Sequence, residues 1–334
     1  MRNLGITIPG DAFANRYFAD LVRTADRAGY TDGWSYESYA TDAFTPLSAA
    51  AMISERMRFG TAIVPVFTRP PALIAMSAAT VNQLSGGRFV LGIGISTPNI
   101  VDGWMGVPFE RPITRTKETV QILRAAFAGE KAMLAGKTVR TNGFKLDVNM
   151  DAGSPPIYLG AQGEKMLRLA GEIGDGLVTN FITTDTLPAM LEHVRAGMRF
   201  AGKDASKLDC VCRIMMAADE DEKIVRPLMR RALTAYVTVP QYNKFFQEIG
   251  YEAEAGEAMS LWNKGDRKKA MESLPEQMIE KIFVFGDAKY CRKRIDEYFD
   301  AGVTTTAIQF SSFAPTPEER RKRILRAVEN LAKA

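Results

Sequence analysis

The sequence predicts an α/β fold, a (β/α)8 TIM barrel with insertion segments, on three observations. Short runs rich in Val, Ile and Phe alternate with stretches of helical period, the pattern of βα units feeding a parallel sheet. Eight such units can be counted along the chain. The 334 residues suit one barrel of about 250 residues that carries insertions. With 46% hydrophobic and 25% charged residues, the chain has the apolar surface to offset its conformational entropy.

Strands are expected at 4–8, 33–36, 59–64, 89–95, 157–160, 176–179, 208–216 and 305–310. Each of the first seven is followed by a helix, and a last helix over 317–332 follows the eighth. The first helix, 17–28, ends at Gly29, a helix-terminating glycine. The third, 71–84, opens on prolines that suit a first turn. Three segments exceed what bare βα units need. Residues 96–112 read as a Pro- and Gly-containing loop, 132–148 as a hairpin turning at Asn142-Gly143, and 236–275 as extra helices. No linker composition or internal repeat divides the chain, so 1–334 is expected to be one domain.

Composition excludes several classes of function. The net charge is +4, from 43 basic and 39 acidic residues. The one basic run, Arg320, Arg321, Lys322, Arg323 and Arg326, shares its helix with Ile324, Leu325 and Val328, so it reads as a solvated face. No nucleic-acid partner is implied. Cys210, Cys212 and Cys291 lack disulfide or zinc spacing; the first two fall on one face of a strand, as core filler. With neither a leader pattern nor an apolar run of about 18 residues, a cytoplasmic protein is expected. The sole histidine, His193, lies in a helical stretch away from the strand ends, which argues against Ser-His-Asp catalysis and a histidine metal site.

Barrel active sites sit at the carboxyl ends of the strands. Glu37 follows the second strand among Trp34, Tyr36 and Tyr39; it reads equally as an acid, base or cofactor contact and as the cap or ion-pair residue of the next helix. The third strand ends Gly60-Thr61-Ala62-Ile63-Val64-Pro65, small residues that let a flat ring approach or simply pack closely. In the fourth, Gly92 and Gly94 share a face and Ser96 ends the run; these glycines lie within a strand, unlike a dinucleotide fingerprint. Gly160-Ala161-Gln162-Gly163 opens a helix over 164–173, and reads either as a plain βα turn or as amides that suit phosphate. Thr179 and Asn180 end the neighbouring strand.

The run from Arg69 to Ser96, RPPALIAMSAATVNQLSGGRFVLGIGIS, resembles the signature of the luciferase-like monooxygenase superfamily. Further matches are Gly106-Val107-Pro108-Phe109, Arg115 and Glu118, and the segment from Pro155 to Phe181. The chain is thus identified as similar to that bacterial-luciferase-like superfamily, and within it to the deazaflavin-dependent branch that includes methylene-tetrahydromethanopterin reductase. The resemblance implies an oxidoreductase using coenzyme F420, with FMN as the alternative cofactor, acting on a small-molecule substrate, and a homodimer. It further implies that Ala62-Ile63 is a non-prolyl cis peptide in a bulge which, with Val64, backs the cofactor ring. Gly94, Ile95 and Ser96 would line that ring. Gly160, Ala161, Gln162 and Gly163, with Thr179 and Asn180, would hold the phosphate.

One departure stands out. Relatives carry an acidic residue followed by histidine after the second strand, and here the pair is Glu37-Ser38. A side chain that moves protons there is therefore Glu37, with Tyr36 second. Trp104, Met105, Phe109, Tyr236, Phe245, Phe246 and Trp262 would roof the pocket from the insertions or pack as ordinary core. The rival readings are an FMN-dependent monooxygenase and a non-catalytic paralogue.

Overall fold

The computed structural model describes residues 2–8, 17–37, 41–148 and 150–334; Ser38 and Tyr39, named above, lie outside them. In chain order the elements are β1 (Gly5–Thr7), α1 (Tyr17–Arg27), β2 (Asp32–Ser35), α2 (Phe44–Ala51), β3 (Arg58–Thr61), β4 (Val64–Pro65), α3 (Pro71–Leu84) and β5 (Phe89–Gly94). Then follow α4 (Pro112–Phe127), β6 (Ala132–Ala135), β7 (Arg140–Phe144), β8 (Ile157–Gly160), α5 (Glu164–Ile173), β9 (Gly176–Asn180), α6 (Leu187–Phe200) and β10 (Asp209–Ala218). The remainder is α7 (Glu222–Val237), α8 (Pro240–Glu248), α9 (Glu252–Asn263), α10 (Arg267–Glu272), α11 (Glu276–Ile282), β11 (Val284–Gly286), α12 (Ala288–Asp300), β12 (Thr305–Phe310) and α13 (Pro317–Lys333).

Strand pairing runs β12-β1-β2-β3-β5-β8-β9, and β10 pairs with both β12 and β9. Eight strands thus close into the expected ring, a TIM barrel. By contact the chain resolves into two compact units, Met1–Thr179 with Met190–Arg213 and Val303–Ala307, and Asn180–Ala189 with Ile214–Gly302 and Ile308–Ala334.

In the first unit the inner wall is built by alternation, since successive strand residues face opposite ways. Trp34, Val90, Tyr158, Val178, Val211 and Ala307 form one buried cluster, with Ala62 and Ile63 packed against it. Gly60 is obligatory here, because a Cβ would sit 2.1 Å from the Trp34 ring. Outside the wall, α1 turns Phe18, Leu21, Val22 and Ala25 inward, the spacing of a helix with one buried stripe. It ends as the sequence predicts: Gly29 takes φ +91°, and Tyr30 N–H returns to Ala25 C=O at 3.0 Å.

The amino-terminal floor of this wall is polar and paired. Arg58 donates to Asp32 Oδ1 at 2.5 Å, Asp209 Oδ2 at 2.9 Å and Thr305 Oγ1 at 2.9 Å. Tyr158 donates its hydroxyl to Asp209 at 2.5 Å. Burial alone would raise the Asp209 carboxyl, but Arg58 and the Thr304 and Tyr158 hydroxyls outweigh it and hold the group below its ordinary range. Burial wins at Asp32, which is raised.

The hairpin departs from expectation at its turn. Gly136 to Val139 connect β6 and β7, while Asn142 lies within β7 and pairs with Met133. The register shifts between Ala132 and Met133, and Gly143, at φ +80°, is the extra residue of a bulge. The physical reason is a remote anchor. Glu118 on α4 accepts from the amides of Lys137, Thr138 and Val139 at 2.7, 2.8 and 3.0 Å and from Thr138 Oγ1 at 2.5 Å. These bonds outweigh the Glu118 desolvation and hold its carboxyl down to about 2. At Gly136 a Cβ would meet Glu118 Cδ at 2.6 Å, so only glycine passes. The segment 96–112 also differs, since it contains a π-helix, Asn99–Trp104.

The second unit is helical over α7 to α11, with β11 paired to β10 at Met216↔Val284, a strand the sequence reading lacks. Phe181 packs on Tyr236 at 4.2 Å and edge-on to Tyr242 and Phe283. No described helix is long and apolar enough to cross a membrane.

Candidate active site at the Ala62–Ile63 bulge

The expected third strand is broken in two. β3 pairs with β5 at Phe59↔Phe89 and Gly60↔Val90, and β4 resumes at Val64↔Ile93 and Pro65↔Gly94. Ala62 and Ile63 fall between, outside the β5 ladder, and their peptide bond is cis, as the resemblance implies. Both flanks are pinned. Toward β2, Ala62 N–H donates to Ser35 C=O at 2.6 Å and Ile63 C=O accepts from Glu37 N–H at 3.1 Å. Toward β5, the buried Thr61 hydroxyl stands in for the missing ladder: it donates to Gly92 C=O at 2.7 Å and accepts from Gly92 N–H at 2.9 Å. Beyond β4, Arg115 donates to Val66 C=O at 2.9 Å, and its guanidinium lies 4.8 Å from the Phe67 ring centre.

Ile63 explains the glycines across from it. A Cβ on Gly94 would come within 3.1 Å of Ile63 Cδ1, and one on Gly160 within 2.9 Å of Ile63 Cγ2. Its side chain therefore lies over two positions stripped of side chains. Ala62, Ile63, Ile95 and Ser96 are half-buried, whereas Val64 and Gly94 are buried; Ser96 takes φ +59°.

Glu37 resolves as an ion-pair partner. Its carboxylate accepts from Arg69 Nε at 3.1 and 3.0 Å, lies 2.8 Å from Arg69 Nη2, and takes longer bonds from Ala43 N–H and Thr68 Oγ1. The side chain is only 11% exposed, so this pair is screened less than a surface one. Arg69, which the sequence reading left without a role, fixes the carboxylate beside the bulge.

At the ends of β8 and β9, Ala161 N–H is bonded to Val178 C=O at 3.1 Å, which removes that amide from phosphate binding and ties the two strand ends together. Gly163 is the N-cap of α5 and no side chain caps that terminus. Thr179 is 3% exposed and its Oγ1 has no hydrogen-bond partner. Gln162 and Asn180 are half-buried.

The expected roof residues separate. Trp104 and Met105 are exposed, at 51% and 46%, while Phe109 stacks on Phe67 at 4.9 Å. In the second unit Phe245 and Phe246 are buried core, and Trp262 lies under Arg267. His193 lies 3.8 Å from Glu164 on the flank of α6. Cys210 and Cys212 are fully buried in β10, and burial pushes both thiols up. Sequence reasoning also missed Arg213, which follows Asp209 and Val211 on one face of β10, midway along that strand; its guanidinium sits 4.3 Å from the Tyr36 ring centre.

The chain belongs to the luciferase-like monooxygenase family, whose model matches residues 3–305. Within that family the chain is 30% identical over 312 residues to 5,10-methylenetetrahydromethanopterin reductase of Methanolobus tindarius, covering 92% of this chain and 93% of that one. It is 26% identical to the F420-dependent glucose-6-phosphate dehydrogenase of Nocardia farcinica, over 95% and 94% of the two chains. Among solved structures, the coenzyme F420-dependent tetrahydromethanopterin reductase of Methanopyrus kandleri superposes with a TM-score of 0.81 at 25% identity, over 99% of this chain and 97% of that one.

Proposed function

We propose that this chain is a coenzyme F420-dependent oxidoreductase that moves a hydride between the deazaflavin ring and a small organic substrate. The observation that carries the reading is the Ala62–Ile63 segment, held on both flanks beside the bare positions Gly94 and Gly160. The residues present fit that cofactor. A planar ring needs a firm, nearly flat backing, and Ala62, Ile63 and Val64, with Gly94, Ile95 and Ser96, are the residues we assign to it. A phosphate needs amides and hydroxyls, and the uncapped α5 terminus and the unpartnered Thr179 Oγ1 supply them. Gly160, Ala161, Gln162, Gly163, Thr179 and Asn180 are the assigned phosphate side, Ala161 by its position, since its amide is already used. Both F420-dependent relatives described above support the choice of deazaflavin over FMN.

When bound, the deazaflavin supplies a carbon centre that gives or takes a hydride and reacts poorly with oxygen. The chain's own residues supply position and polarity. Glu37 acts first by position: its amide holds Ile63 and its carboxylate is fixed by Arg69. We assign to that same carboxylate the holding or exchange of the proton that accompanies the hydride.

The test is a titration of the purified chain with coenzyme F420 and separately with FMN, following intrinsic tryptophan and cofactor fluorescence. Selective saturation by F420 is the expected result. Selective FMN binding would turn the reading to an oxygen-using enzyme, and binding of neither would remove the cofactor assignment.

A further inference from the structure

We propose that Arg213 is a specificity-determining residue that takes an oxyanion of the substrate, a carboxylate or phosphoryl group, at the carboxyl end of the barrel strands. The proposal rests on the oxidoreductase reading and names its substrate class.

Four observations carry it. First, Arg213 faces the interior: it lies two residues beyond Val211, a member of the inner cluster, on the same face of β10. Second, its guanidinium is 4.3 Å from the ring centre of Tyr36, and Tyr36 lies between Ser35 and Glu37, the two residues bonded to the bulge. The charge is therefore held at the end of β2, the strand whose backbone bonds to Ala62 and Ile63. Third, Arg213 Nε is buried with no hydrogen-bond partner, and among the described residues no carboxylate forms an ion pair with it. Fourth, Arg58, two rows below on the same inner wall, is paired to Asp32, Asp209 and Thr305. The fold thus satisfies an inward arginine where its role is structural, and leaves Arg213 Nε without an acceptor.

A buried donor without an acceptor is costly, and an aromatic face offsets only part of that cost. Guanidinium presents a planar fork that matches carboxylate and phosphoryl oxygens in pairs. Stacked on Tyr36, the fork is already oriented, so an acidic substrate loses little freedom in meeting it. A neutral isostere gains neither the charge nor the paired bonds.

The test uses the full chain and the variants Arg213→Met and Arg213→Lys, titrated calorimetrically with benzoate and with benzamide, probes of one shape and different charge. Each titration is run with and without F420, and the F420 affinity of each variant is measured separately. For the unmodified chain we expect benzoate to bind about tenfold or more tightly than benzamide, with the preference weakening as salt is raised. Arg213→Met should abolish the preference and leave F420 affinity within about twofold. Arg213→Lys, a point charge without the fork, should retain part of it. Equal binding of the two probes by the unmodified chain, or a preference that survives Arg213→Met, overturns the proposal. Loss of F420 affinity in Arg213→Met without any benzoate preference would assign Arg213 to the cofactor's own acidic groups and overturn it equally. The titrations without F420 report on Arg213 even where the cofactor reading fails. Melting curves control for folding, and no buried carboxylate is orphaned by either substitution.

Discussion

Replacing Thr61 by Val tests whether the bulge depends on one hydroxyl. Val keeps the shape of Thr and removes only the oxygen, which in this chain is buried at 0% exposure and bonds both Gly92 C=O, at 2.7 Å, and Gly92 N–H, at 2.9 Å. On its other side β5 is satisfied by β8, through pairs such as Leu91↔Ile157 and Ile93↔Leu159, so the freed Gly92 groups have no ladder partner to recruit. An unsatisfied buried group costs about 1–3 kcal/mol; with two groups partly relaxing, about 2–4 kcal/mol is expected. For a chain of this size that is a fall in Tm of roughly 3–6 °C. Because Ala62 and Ile63 lean on Thr61, F420 affinity should fall by more than about fivefold, about 1 kcal/mol. Thr61→Ser is the control, since it restores the hydroxyl at the cost of one methyl group, about 1 kcal/mol. Differential scanning calorimetry and fluorescence titration on the three proteins decide the matter. A Val variant with unchanged Tm and affinity, or a Ser variant as impaired as Val, would refute the claim that this hydroxyl replaces the ladder.

Gly160→Ala places a Cβ 2.9 Å from Ile63 Cγ2 and should weaken F420 binding about tenfold with little change in Tm; adding Ile63→Ala should recover part of the loss, and strict additivity in the double-mutant cycle would show that the two positions do not meet. Glu37→Gln removes the charge paired with Arg69 and should lower stability by about 1–3 kcal/mol, with kcat reduced more than F420 affinity; an unchanged kcat would dismiss Glu37 from the reaction. The Glu118 carboxyl is depressed from 4.5 to about 2, so its contribution to stability is complete above pH 4.5 and disappears as the pH falls toward 2. That difference corresponds to at most about 3 kcal/mol, reduced by solvent screening to about 1–2 kcal/mol. The Tm gap between the unmodified chain and Glu118→Gln should therefore be widest above pH 4.5 and narrow below it, and a gap that widens in acid would reverse the assignment.

The eight barrel strands were legible because parallel strands are buried on both faces and read as continuous apolar runs. β11, at three residues, is too short to mark itself among helices. The hairpin shows why local signals fail: Asn142-Gly143 is a strong turn dipeptide, yet Glu118, 19 residues from Lys137, sets the turn at Gly136 and leaves Gly143 as a bulge. The same holds in the site. The residues of the bulge were visible in sequence as small and apolar, but their interruption of the strand came only through resemblance to a family. Whether Glu37 is a free acid or an ion-pair residue depended on Arg69, 32 positions away, and nothing in the spacing announces that pair.

Two arginines on the inner wall of one barrel show how satisfaction of polar groups separates structure from function. Arg58 lies at the amino ends of the strands, where β1 to β3 and β10 begin, and two carboxylates and a hydroxyl accept its hydrogen bonds. Asp32, 1% exposed, would be left without its cation if Arg58 were removed, so that cluster belongs to folding. Arg213 lies toward the opposite ends, beside Tyr36, and makes one aromatic contact, with a buried nitrogen left over. Thr179 Oγ1, at the end of β9, is left over in the same way. Trp34 Nε1 and Thr119 Oγ1 are buried without partners too, so what distinguishes these two donors is their place beside the proposed ligand positions. On the proposals above, their acceptors arrive with the ligands, the phosphate at Thr179 and the substrate's oxyanion at Arg213.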